Sequence, residues 1–262
     1  MSQIIHDTRT DADDRLSLFL WDNLPGDWTA TSERDNFPVT NLSNDSTDDL
    51  WLSQSVTSAD AIIDFGSNQT VEAVYCFVAQ ADSVQIAYST DGMTYIVIDS
   101  GDAADNTLFA FDAVTARYIR IRLTAAVAAS LGLAVAFIGE LMVTEQPANY
   151  TGVSPSRYAR NTEIRPQISE SGNWLGSTIQ RRGFDVSLEW SHVAADWVET
   201  ELEPFLIDRI GKPFVLAWRP QADSPYENDV RYVVSEQDIV PQITGPRRLM
   251  SFSVDLRGFG GG

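Results

Sequence analysis

The run Arg117-Tyr118-Ile119-Arg120-Ile121-Arg122-Leu123 alternates in character every second residue. That alternation constrains the fold more than any other feature. A strand turns successive side chains to opposite faces, so Ile119, Ile121 and Leu123 share one face and Arg120 and Arg122 the other. Further strands are predicted at Ala61 to Gly66, Val71 to Val78, Val84 to Ser89, Tyr95 to Ile98 and Phe137 to Val143. Asp91-Gly92 supplies the positive φ that a tight hairpin needs. Short strands with regular turn signals and no helical period imply a sandwich or jelly roll.

Residues 146–175 carry Pro147, Pro155 and Pro166 among Asn, Ser, Gly and Arg, the composition of a linker or an extended arm. Strands resume at Ser177 to Gln180 and Phe184 to Trp190. A helix is predicted from Ala194 to Ile210, with Val198, Leu202, Phe205, Leu206 and Ile210 near one face. Pro204 predicts a kink or a split in it, and Gly211 a cap. Strands follow at Pro213 to Trp218, Val230 to Ser235 and Met250 to Leu256. The expected fold class is mainly β. It comprises a jelly roll over residues 1–148, a linker or arm over 149–175, and a small β-barrel or sandwich with one α-helix over 176–262.

The net charge of −19 is unevenly spread: residues 1–149 hold 6 arginines against 22 acidic residues. Such a surface repels phosphate backbones and anionic lipid heads, so neither nucleic acid nor membrane is expected as a partner. No apolar run reaches the length of a membrane span, and the N-terminus lacks the charge and apolar pattern of a secretory signal. The single cysteine, Cys76, is expected to be a buried apolar residue.

The chain has two histidines, His6 and His192, far apart. Zinc sites and Cys/His catalysis lack the residues they need, and no Gly-x-Ser-x-Gly elbow or phosphate-binding glycine loop is present. The chain therefore reads as non-enzymatic. Of seven tryptophans, Trp51, Trp190, Trp197 and Trp218 lie in apolar patterns and are expected in the core. Trp28, in the turn-rich stretch from Pro25 to Thr29, is the expected exposed ring for sugar stacking.

Two resemblances add to this reading. The segments Phe37-Pro38-Val39-Thr40-Asn41-Leu42, Trp51-Leu52-Ser53, Ile62-Ile63-Asp64-Phe65-Gly66, Tyr88-Ser89-Thr90-Asp91-Gly92, Ala116 to Ile121 and Ile138-Gly139-Glu140-Leu141 resemble the discoidin or F5/8 type C branch of galactose-binding-like domains. The resemblance implies an eight-stranded jelly roll whose end loops often bind glycans, here through Trp28, Asn44 and Asp45. It also implies a candidate calcium set of Asn41, Asp45, Asp48 and Glu140. Asn44 and Ser46 stand where the family usually has aspartates, and a hard cation loses two charged ligands by that change. No other cofactor is expected.

The last third, through Arg182-Gly183-Phe184-Asp185-Val186, Trp190, Phe205, Gly211-Lys212-Pro213-Phe214, Trp218 and Ser251 to Gly258, looks like the β-barrel domain of tailed-bacteriophage distal tail and minor tail proteins. That family has its two domains in the reverse order. The resemblance implies a structural component of a virion tail tip. Its expected partners are the tail tube, the hub and further copies of itself in a ring, a trimer or hexamer. Arg157, Arg160, Arg165, Arg181 and Arg182 are the expected assembly contacts, and the jelly roll would face outward toward host glycans. The alternative is a lectin with no virion role.

Overall fold

The computed structural model describes residues 3–10, 12–13, 15–149, 160–209, 211–218, 229–235, 237–244 and 248–258, with the side chains of Arg160, Arg181 and Arg182 excepted. The fold is mainly β, as the alternation demands. The chain divides into two units. One joins residues 1–144 with 214–230, and the other joins 145–213 with 231–262. The second unit is thus discontinuous, which no local sequence signal reports.

The first unit carries β1 (Gln3–Asp7), β2 (Leu18–Leu20), β3 (Asp27–Ala30), β4 (Trp51–Gln80), β5 (Ser83–Ser89), β6 (Ile96–Asp102), β7 (Asn106–Gly139) and β8 (Met142–Val143). Its main sheet has the order β3-β4-β7-β5-β6, with β1 parallel to the start of β7. β4 and β7 are long, irregular runs that serve both layers of the sandwich. Residues 58–64 of β4 pair with 118–124 of β7, whereas Ala73 to Phe77 pair with both Asn106 to Ala110 and Val135 to Gly139.

The alternation in 117–123 sets the inward face. Ile119, Ile121 and Leu123 are fully buried, as are their register neighbours Ala61, Val84 and Ile86. Val74, Cys76, Phe109, Ala136 and Ile138 of the other layer join the same core. Burying each large aliphatic or aromatic side chain contributes about 1.5–3 kcal/mol, before the entropy of ordering it. Cys76 is wholly buried, and its thiol is pushed up by burial, so it behaves as a small apolar group.

Two short strands complete this unit. Leu18–Leu20 pairs with Met142–Val143 on one side and with Val215 to Ala217 of β11 (Pro213–Ala217) on the other. Ser17 ties the group together: its Oγ donates to the Trp218 carbonyl at 2.7 Å, and its N–H donates to Thr144 Oγ1 at 2.9 Å.

The second unit contains β9 (Arg160–Ile168), β10 (Trp174–Ala194), most of β12 (Val230–Ser235), β13 (Gln242–Ile243) and β14 (Leu249–Gly258). Within it β14 lies between β12 and β10, and β9 is at the edge. Trp190 stacks on Phe252 with centroids 5.0 Å apart, and Leu188, Val254, Leu256, Leu202 and Phe205 are buried around them. Trp197, expected in the core, is half-buried, its ring 6.4 Å from that of Phe252.

The helix spans Ala195–Trp197, Val198–Leu202 and Glu203–Arg209, and its middle segment is π-helical. Pro204 has no N–H and its ring crowds the preceding turn. The helix accommodates it by widening, so that the Glu203 N–H donates to the Val198 carbonyl five residues back. Gly211, at φ +73°, then reverses the chain. Part of the expected linker is regular structure: residues 160–168 form β9, paired with the start of β10.

Candidate functional site: an arginine, tyrosine and aspartate face on the jelly roll

The residues singled out from the sequence are only partly brought together. Trp28 is a correction. It is 8% exposed, because β3 pairs with β4 and sets Trp28 opposite Ile63, both facing the core. Pro25 and Asp27 on its flank are exposed, and of the strand's residues only Trp28 is buried. Asn44 and Asp45 are exposed in the loop that follows the short helix Val39–Ser43. The Asn44 Oδ1 accepts the Ser46 N–H at 2.7 Å.

The expected calcium set is not assembled. Among the described residues no three His, Cys, Asp or Glu side chains lie close enough to hold a metal, so Asp45, Asp48 and Glu140 do not converge. Asn41 braces its own loop, with Nδ2 donating to the Leu50 carbonyl at 2.8 Å. Glu140 is exposed, and the carboxylate that caps the adjoining backbone is Glu72, which accepts the Leu141 N–H at 2.9 Å. Of the assembly arginines, Arg157 lies outside the described residues. Arg160, Arg165, Arg181 and Arg182 all fall on the β9–β10 hairpin, where Arg165 is exposed.

A different constellation stands on the outward face of the first unit's sheet. Strand period two puts Asp60, Ile62 and Asp64 of β4 on one face, with Tyr118, Arg120 and Arg122 of β7 beside them. Register pairs Asp60 with Arg122, Ile62 with Arg120 and Asp64 with Tyr118. On the other side of β7, Arg122 faces Gln85, Arg120 faces Ala87 and Tyr118 faces Ser89.

Two of the arginines are held by two-point bonds to carboxylates. Arg122 donates to Asp60 at 2.7 and 2.9 Å, and Arg117 donates to Asp64 at 2.8 and 2.9 Å. The fork geometry fixes both partners in plane. Asp64 also accepts the Gly66 N–H at 2.7 Å. The Arg117 bond, with help from Gly66 and Tyr118, holds the Asp64 carboxyl down at about 2 against a burial effect of opposite sign. Arg117 and Arg122 are each raised by the carboxylate they grip.

Arg120 differs from its two neighbours. Its guanidinium lies 4.4 Å from the centroid of the Tyr95 ring, and its Nε is buried with no hydrogen-bond partner. Arg117 lies 5.0 Å from the Tyr118 centroid. Burial raises the phenols of Tyr95 and Tyr118, so both are protonated donors at neutral pH. Gly92 makes room for Tyr118: its φ is +73°, and a Cβ there would sit 3.1 Å from the ring.

The face therefore presents two aromatic rings, three guanidinium groups and two carboxylates gripped by arginines. It suits recognition of a flat polar ring, because stacking and two-point hydrogen bonds are pre-positioned. It does not suit acid–base catalysis: a general acid near neutral pH needs a raised carboxyl, and Asp64 is depressed. Reading the sequence as strand alternation noted the arginines but missed the face. The signal that would have found it is the pair Asp60 and Asp64, four apart on one strand, opposite a strand with arginines on the same face.

Fold and face together define a β-sandwich with a polar and aromatic outward face. Residues 27–137 match the family model of the F5/8 type C domain. Among solved structures, the chain is similar to chitosan-binding module 1 of a chitosanase/glucanase from Paenibacillus sp. IK-5 (24% identity, 45% of this chain and 99% of that one, TM-score 0.42). It is similar to a CBM32 module from Clostridium perfringens in complex with GalNAc-β-1,3-galactose (14% identity, 45% and 100%, TM-score 0.41). It is also similar to a GH29 fucosidase from Ruminococcus gnavus in complex with fucose (17% identity, 46% and 27%, TM-score 0.44). No curated protein matches the chain. Among the described residues, no helix is long and apolar enough to cross a membrane.

Proposed function

We propose that this chain is a non-catalytic glycan-binding protein that works within a larger assembly, with its F5/8 type C unit as the reader. The observation that carries the reading is the Tyr95–Arg120 pair at 4.4 Å, set between two arginine–carboxylate forks. A pyranose ring stacks on a tyrosine while its hydroxyls meet guanidinium donors and carboxylate acceptors. Carboxylates locked to arginine orient a ligand without reacting with it.

The test is a glycan array on the full chain, followed by calorimetry of the best ligand with Tyr95→Ala and Arg120→Gln. Loss of a stacked ring or a desolvated cation weakens binding by about tenfold or more. No binding across the array, or binding untouched by both substitutions, overturns the reading.

The setting we assign is the tail tip of a long-tailed bacteriophage, as a distal tail or minor tail protein. The support is the likeness of the last third to tail barrels, together with a hairpin of β9 and β10 that exposes apolar side chains. In this setting the neighbours are the tail tube, the hub and further copies in a ring. Antibody labelling of purified particles at the end away from the capsid is the expected result. Absence of the chain from particles overturns the assignment.

A further inference from the structure

The hairpin of β9 and β10 is built with care and left without cover. Its turn is well formed: the Ser169 and Asn173 backbones pair at 2.9 Å, Gly172 takes φ +84°, and Ser169 Oγ accepts the Asn173 N–H at 3.0 Å. β9 pairs with β10 and with no other strand among the described residues. Register sets Ile164 opposite Ile179 and Ile168 opposite Trp174. Directly opposed residues share a face, so Ile164, Pro166, Ile168, Trp174 and Ile179 form one apolar stripe.

That stripe is open to solvent. Ile164 is 54% exposed, Ile168 60%, Trp174 65% and Ile179 44%. A two-stranded hairpin is marginal in water by itself, and an apolar face on it marks an interaction surface. The same segment, residues 160–182, carries four arginines against two glutamates.

A complementary surface exists on the first unit. β6 is the edge of its sheet and, among the described residues, pairs only with β5. Ile96 is 54% exposed and Val97 48%, and Met93 just before them is 88% exposed. Asp91, Asp99 and Asp102 flank this apolar edge, within a stretch where acids outnumber arginines 22 to 6. An unpaired strand edge is a template for another strand.

We propose that the basic, apolar hairpin of one copy docks on the acidic β6 edge of a second copy. The occupant is a second copy because both halves of the contact are carried by this chain, with opposite charge and matching apolar exposure. The contact joins two different surfaces, so it propagates head to tail and closes into a ring or continues as a filament. The inference deepens the assembly part of the proposed function and rests on it.

The test uses the full chain and light scattering across a concentration series. Two exposed variants are made, Ile164→Thr with Ile168→Thr on the hairpin and Ile96→Thr with Val97→Thr on the edge. Threonine keeps strand propensity, and a melting curve confirms folding. The wild type is expected to associate, with association weakened as salt rises. Each variant alone is expected to associate at least about tenfold more weakly, since it loses apolar contact on one side. Mixing the two variants restores one good interface and gives a 1:1 pair that grows no further. A wild type that is monomeric at every concentration overturns both this inference and the assembly reading. Association that survives both variants overturns this inference alone.

Discussion

Gly92 and Gly66 offer a matched pair of perturbations that separates backbone strain from disturbance of the tyrosine face. Both glycines have positive φ, +73° and +75°, where a side chain is disfavoured. At Gly66 a Cβ would meet nothing within 4 Å, whereas at Gly92 it would lie 3.1 and 3.2 Å from two ring atoms of Tyr118. The left-handed conformation costs an alanine about 1–2 kcal/mol, offset by about 0.4–1 kcal/mol from the stiffer unfolded chain. Gly66→Ala should therefore destabilise by about 1 kcal/mol. Gly92→Ala adds the displacement of a packed ring, about 1 kcal/mol more.

In a domain of this size each kcal/mol lowers Tm by about 2–4 °C, so falls of about 2–4 °C and about 4–8 °C are expected by calorimetry of the full chain. Glycan affinity should drop further in Gly92→Ala than in Gly66→Ala, because only the first moves Tyr118. Equal losses of stability, or an unaltered affinity in Gly92→Ala, would refute the assignment of Tyr118 to the face.

The remaining expectations are simpler. Ser53 is fully buried, accepts the Leu131 N–H at 2.9 Å and donates to the Gln54 carbonyl at 2.7 Å. Ser53→Ala orphans that N–H and should cost about 1–3 kcal/mol in urea unfolding, against little or nothing for the exposed Ser58→Ala. Asp64 is depressed from 3.8 to about 2 by its arginine. Its contribution is fully present above the unfolded value and is lost as pH falls through the folded one. The stability of the wild type should thus decline between about pH 4 and 2 more steeply than that of Asp64→Asn, and equal slopes would contradict the pairing. Calcium at millimolar concentration, or its removal by chelator, should leave Tm unchanged, because the carboxylates expected as ligands do not converge. A calcium-dependent rise in Tm would show that the loop holds a cation after all.

The sequence made some of this legible and hid the rest for physical reasons. Strand 117–123 was readable because one buried face imposes a local period of two. The arginine–aspartate forks were not, because Asp60 and Arg122 are 62 residues apart and meet only through strand register. Trp28 was misread because turn residues before a strand resemble an open loop, while its burial comes from Ile63 on another strand. Pro204 announced an irregular helix, but whether it breaks or widens is decided by packing of Val198, Leu202 and Phe205. β9 was hidden by Pro166, whose lost N–H is tolerated because the strand is an edge.

The most direct test of the central claim is a crystal structure of the full chain with the tightest glycan from the array. The expected result is a sugar ring stacked on Tyr95 or Tyr118, with hydroxyls bonded to Arg120 and to the oxygens of Asp60 or Asp64. Density for the sugar at the Asn44–Asp45 loop, with the arginine and tyrosine face bare, would contradict it.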